Sequence, residues 1–222
     1  LGVNLVESRK ICYKYKTNIN IGLIHLTAFN ANTTRNSANL TVSLPYGTAK
    51  MTDKHKNYIK SRHFDPDLLE KEWGLLGTGA LGDFKHRIII PIFQNNKLVC
   101  YQGRDITGKS LEKYKSCPND KAILPIKSCL YGIDKCFGND WVVITEGVTK
   151  VLRLGPGAIC TFGVVITNEQ LAGLKQFKRR IILYDQDEAG MNGAKKLAEK
   201  LAVFGGKTEI LTLANVNDVA EI

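Results

Sequence analysis

Two carboxylates stand two positions apart at the end of an apolar run, in Ile181-Ile-Leu-Tyr-Asp185-Gln-Asp187-Glu-Ala-Gly190. The apolar residues predict a buried strand, and the pattern after Gly190 predicts a helix. Side chains at i and i+2 of an extended segment point the same way, so Asp185 and Asp187 are expected to face one spot. That spot lies at the carboxyl end of a strand, where open α/β sheets bind their ligands. Bare carboxylates held together repel each other and tend to keep a proton. A hard divalent cation such as Mg²⁺ (or Mn²⁺) removes the repulsion, and carboxylate oxygens are its preferred ligands. A lone Asp-x-Asp also fits a pair of solvated loop acids. However, Trp141-Val-Val-Ile-Thr-Glu146-Gly147 repeats the arrangement of apolar strand, carboxylate, glycine and helical pattern. Glu146, Asp185 and Asp187 together make a three-acid cluster, a more specific signal than either motif alone.

The elements that must position these acids alternate. Strands are expected over 141–145, 158–162, 180–184 and 207–213, and helices over 148–154, 168–177 and 189–204. Thr167 and Gln170 have capping-box spacing. Ala194, Leu197, Ala198 and Leu201 form a helical apolar stripe that reads as core. The alternation predicts the α/β class, with a mostly parallel sheet flanked by helices. Asp218 follows the last strand and is a candidate further metal ligand at the same edge.

Residues 51–140 read differently, as an α+β lobe. Basic helix 52–62 takes Thr52 or Asp53 as its N-cap. A short helix follows from Asp65-Pro66 to Trp73. The stretch from Gly74 to Gly82 holds four glycines and is expected to be a loop. Arg87 to Phe93 and Leu98 to Gln102 predict a hairpin, with Pro91 implying an edge or a bulge. Gly103 to Ser110 matches the phosphate-loop expression Gly-x-x-x-x-Gly-Lys-Ser. That reading is rejected, because a phosphate loop must open a helix after a buried parallel strand. Leu111 to Pro118 is too short and ends in proline. Arg104, Lys113 and Lys127 are read instead as cations around a polyphosphate or a nucleic-acid backbone. Residues 1–50 are uninformative: a short helix over 5–15, and loop or disorder over 30–39.

The formal net charge of +10 is placed unevenly. Residues 1–140 carry 21 Lys and Arg against 12 Asp and Glu, whereas residues 141–222 carry 10 against 9. A basic half joined to a near-neutral half with an acid cluster suggests that one holds a polyanion and the other a metal. The six cysteines include no Cys-x-x-Cys pair, which argues for reduced thiols in a cytoplasmic setting and against zinc within these residues. No apolar run approaches the roughly 18 residues of a membrane span. The chain opens on Leu1 without Met, as a piece of a longer polypeptide would.

Glu146-Gly147 and Asp185-x-Asp187-x-x-Gly190 resemble the Toprim domain shared by DnaG-like primases, topoisomerases and some nucleases. The upstream motifs select among them. Tyr58-Ile-Lys-Ser-Arg62, Arg87-Ile-Ile-Ile-Pro91, Gly103-Arg104, Lys113-Tyr114 and Lys127 with Leu130-Tyr131-Gly132 fall in the order of the basic lobe of DnaG-like primases. Phage primases and helicase-primases are especially similar. The resemblance covers roughly 45–222 and implies an N-terminal segment over 1–50, a basic lobe over 51–140 and a Toprim domain over 141–222. It implies a catalytic core that makes short primers on single-stranded DNA from nucleoside triphosphates, working with a fused or recruited replicative helicase. Glu146, Asp185 and Asp187 would be catalytic and metal-binding, with Asp218 accessory. Arg87, Arg104, Lys113 and Lys127 would contact template or nucleotide. Many such primases have Asp four residues after the Glu; here Lys150 stands in that place. The alternatives are a metal-dependent nuclease using the same acids and a non-catalytic template-binding module.

Overall fold

The computed structural model describes residues 41–212. The expectations for residues 1–40 and for Asp218 lie outside them. The first sheet is antiparallel, in the order β1 (Thr48–Ala49), β2 (Leu76–Thr78), β3 (Arg87–Gln94), β4 (Lys97–Asp105) and β5 (Tyr114–Ser116). Helices α1 (Asp53–Ser61) and α2 (Pro66–Trp73) precede its long strands. Thr52 caps α1, its N–H donating to His55 Nδ1 at 3.2 Å. Asp65 caps α2 by accepting from the Asp67 and Leu68 N–H groups, and Gly74 ends it at φ 65°.

The glycine-rich stretch after Gly74 is not all loop. Leu76–Thr78 pairs with β3, because Gly77 has no side chain to collide with the buried His55 ring; a Cβ there would lie 2.7 Å from it. Pro91 sits past the end of the β2 pairing, which stops at Ile89, so its missing N–H costs no ladder bond. Register then shifts between Ile92 and Phe93, and the hairpin turns on Asn95 and Asn96, both at positive φ. These angles suit the right-handed strand twist. Both turn N–H groups donate to the Asp134 carboxylate at 2.8 Å.

The second sheet is wholly parallel, in the order β7 (Ala158–Cys160), β6 (Trp141–Thr145), β8 (Arg179–Ile182) and β9 (Lys207–Ile210). Its helices are α3 (Val148–Leu154), α4 (Asn168–Leu174) and α5 (Glu188–Ala202). The strand and helix order expected from the sequence holds; β6 has the expected bounds, and β7, β8 and β9 end two or three residues early. Val142, Ile144, Ile182, Leu197 and Leu201 form the interior of this sheet and α5.

The two sheets share a core. Ile59, Trp73 and the β3 isoleucines lie in one hydrophobic cluster with Val148, Val151 and Leu154 of α3. Arg153 adds a polar tie: its guanidinium donates to the Arg62 and His63 carbonyls at 2.9 and 2.8 Å and stacks on Phe64. Helix α3 is therefore one place where the antiparallel half meets the parallel half; Tyr131, which bridges to Cys160, and Asp134, which holds the β3–β4 turn, form another. No helix of the described residues is long and apolar enough to cross a membrane.

Candidate metal and phosphate site

The acids come together because β6 and β8 are direct parallel neighbours, with Ile144 opposite Ile182. Both chains leave the sheet at the same carboxyl edge a few residues later, carrying Glu146 and Asp185. The Asp185 N–H donates to Glu146 Oε1 at 2.8 Å, so backbone and side chain lock the two segments to each other. The Gly163 N–H holds the Glu146 carbonyl at 2.9 Å and brings the chain after β7 to the same place.

Lys150 projects into the pair. It lies one helical turn beyond Glu146 and donates to Glu146 Oε1 at 2.8 Å and to Asp185 Oδ1. Burial alone would push the Glu146 carboxyl up, but hydrogen bonds from Asp185 and Lys150 outweigh it and hold the group below its ordinary value. For Asp185 the balance is reversed: burial and the neighbouring Glu146 raise it against the pull of Lys150. Burial opposes the charge on Lys150, yet its bonds to Asp185 and Glu146 keep the ammonium protonated more firmly than usual.

Asp187 is positioned for a different reason from the one expected. The strand ends at Ile182, so Asp185 and Asp187 are not consecutive outward positions of one strand. Asp187 instead caps α5, its Oδ1 accepting from the Gly190 N–H at 2.7 Å. Among the described residues no group of three His, Cys, Asp or Glu is arranged to hold a metal ion. The donor chemistry nevertheless fits a hard divalent cation. Glu146 and Asp185 are carboxylates converging at a half-buried edge, and carboxylate oxygens are the ligands such a cation takes.

The basic residues divide. Lys127, an exposed residue, donates to the Phe162 carbonyl next to Gly163, the residue whose N–H holds the Glu146 carbonyl. Arg104 lies between two tyrosines. Its guanidinium carbon is 5.9 Å from the Tyr58 ring centroid and 4.6 Å from that of Tyr114, and its Nε–H donates to the Tyr58 hydroxyl at 2.8 Å. Those residues line a hollow with Arg62 and with Thr149 of α3, the neighbour of Lys150. Lys113 is exposed next to Tyr114. Sequence reading did not single out the aromatic pair, although Tyr58 and Tyr114 stood in the quoted motifs.

Arg87, which the resemblance implies as a contact to template or nucleotide, is instead buried. It is 4% exposed and donates to the Gly103 carbonyl, Ser110 Oγ and the Glu112 carbonyl at 3.1, 2.8 and 3.0 Å. It thus pins the 106–113 loop that presents Lys113. Arg87→Ala strands those acceptors and is expected to cost about 3 kcal/mol, read as a urea midpoint shift. The phosphate-loop expression stays rejected on structural grounds. Gly103-Arg104-Asp105 belongs to an antiparallel strand, and the Asp105 carboxylate closes a turn on the Thr107 and Gly108 N–H groups.

Residues 143–222 match the family described as Toprim-like. Over 186 residues the chain is 31% identical to a DNA primase of Helicobacter pylori strain J99, covering 77% of this chain and 33% of that protein. The fold is similar to that of the primase fragment of the bacteriophage T7 primase-helicase protein, with a TM-score of 0.58 at 19% identity over 83% of this chain and 77% of that one. It is also similar to the zinc-binding and RNA polymerase domains of the Aquifex aeolicus primase, with a TM-score of 0.55 at 24% identity over 78% of this chain and 46% of that one. The chain spans a third or less of the length of the curated primases it matches.

Proposed function

We propose, from the premise that this chain is a relative of the DnaG-like DNA primases and carries a Toprim-like domain, that it is a catalytic core for primer synthesis on single-stranded DNA. The observation that carries this reading is the convergence of Glu146 and Asp185 at one sheet edge, joined through α3 to the Arg104 hollow. Joining two nucleoside triphosphates is an in-line phosphoryl transfer, governed by charge neutralisation and positioning. Mg²⁺ or Mn²⁺ held by Glu146, Asp185 and Asp187, with Asp218 as a further ligand, would supply neutralisation of the triphosphate.

The chain's own residues do the rest. Lys127 places an ammonium on the segment that holds Glu146 and meets a nucleotide phosphate there. Arg104 is held between two rings, so its guanidinium is oriented before a template phosphate arrives. Lys113 adds a second phosphate contact from the loop that Arg87 anchors. Backbone contacts of this kind hold template without reading sequence, and affinity falls steeply with salt. A replicative helicase is the partner implied by the helicase-primase likeness.

The test incubates the protein with labelled single-stranded DNA, ribonucleotides and Mg²⁺. New short RNA products that require ribonucleotides support the reading. Cleavage of the labelled strand that needs no nucleotide would replace it with a nuclease. Template binding without either reaction would leave a docking module.

A further inference from the structure

The residues immediately before the two acids, Thr145 and Tyr184, both bond Thr161, the first residue after β7. Thr145 and Thr161 are fully buried and Tyr184 is 4% exposed. The Thr161 N–H donates to the Thr145 carbonyl at 3.0 Å. Its Oγ1 lies 2.7 Å from the Gly163 carbonyl and 2.9 Å from the Tyr184 hydroxyl. Burial pushes the Tyr184 hydroxyl above its ordinary value, so it keeps its proton. Tyr184 therefore donates to Thr161, whose own O–H donates to the Gly163 carbonyl. The 161–163 loop is tied at every residue. The Gln170 amide holds the Thr161 carbonyl at 2.8 Å, Lys127 donates to the Phe162 carbonyl, and the Gly163 N–H holds the Glu146 carbonyl at 2.9 Å. Phe162 stands at φ 56°, a left-handed angle that a phenylalanine adopts only where its surroundings impose it.

We propose that Tyr184 and Thr161 are positioning residues for the acid pair, their hydrogen bond setting how Asp185 stands to Glu146 and so how tightly the pair holds a divalent ion. This inference rests on the metal reading of Glu146 and Asp185. Phenylalanine at 184 and valine at 161 would fill nearly the same space without a polar group to satisfy. A satisfied buried network instead fixes one arrangement of the chains that make it. Here those chains are the two that carry the acids and the loop that holds Glu146. Both side chains are buried, so they act through the backbone next to each acid.

The experiment is a Mn²⁺ titration of the 222-residue chain and its variants, with free ion followed by electron paramagnetic resonance. Tyr184→Phe removes one oxygen atom and is expected to weaken Mn²⁺ binding at least about tenfold. The Mn²⁺ concentration for half-maximal primer synthesis should rise by the same factor, with KM for template unchanged. Thr161→Val should match it, and the double variant should bind no more weakly than either single one. Thr161→Ser keeps the hydroxyl and should bind within about threefold of wild type. Circular dichroism checks folding, and Tyr184→Phe with Thr161→Ser decides the matter without the valine variants. Wild-type Mn²⁺ affinity in Tyr184→Phe, or additive losses in the double variant, would overturn the proposal and leave the metal site standing. A wild type that binds no Mn²⁺ would remove the metal site and the proposal with it.

Discussion

Asp185→Asn is expected to lower the rate of primer synthesis at saturating Mg²⁺ by at least about 100-fold while leaving the fold intact. The substitution keeps side-chain size and shape. Its backbone N–H still donates to Glu146 Oε1, so the lock between the two strand ends survives. Lys150 keeps Glu146 as a partner. Only the anionic charge at position 185 is lost, and that charge is what a cation at this edge would be held by. The melting midpoint should move by no more than about 3 °C, corresponding to roughly 1 kcal/mol in a chain of this size. A rate within threefold of wild type, with normal folding, would show that Asp185 does not serve the reaction.

Gly190→Ala gives the second large effect, and its sign is informative. In an ordinary helix this change stabilises by about 1 kcal/mol. Here a Cβ would lie 2.2 Å from the Asp185 carbonyl oxygen and 2.9 Å from its carbon. Backbone on one side and helix α5 on the other leave no flexible group to yield. The substitution must therefore push Asp185 and the α5 cap apart, at a cost of about 3 kcal/mol from overpacking. The same displacement breaks the Asp185–Glu146 contact, so synthesis should fall together with stability. Thermal unfolding and the primer assay on one preparation check both. A stabilised, active Gly190→Ala would mean that the α5 start and Asp185 are not packed against each other.

What the sequence made legible was local. Apolar runs ending in acids, a Thr-x-x-Gln cap and an alternating pattern located the parallel half and the candidate acids, because each signal is carried by residues within one element. What it hid depended on partners far along the chain. Strand β2 looks like loop in the sequence because Gly77 is a loop residue by type, and only the His55 ring packed against it shows why glycine stands there. The burial of Arg87 is hidden from the sequence because its acceptors, Gly103, Ser110 and Glu112, declare nothing by residue type. Lys150 could not be assigned without knowing that β6 and β8 are neighbours, which puts Asp185 within reach of its ammonium. The same adjacency explains how one helix does three things. Thr149 of α3 lines the Arg104 hollow, Lys150 enters the acid pair and Arg153 clasps the end of α1.

The most direct measurement of the central claim is anomalous diffraction from a crystal of this chain soaked in Mn²⁺. An anomalous peak within coordination distance of Asp185 and a second carboxylate from Glu146 or Asp187 is the result expected. Manganese bound elsewhere, with Glu146 and Asp185 still bonded only to Lys150 and to each other, would contradict a catalytic metal at this edge.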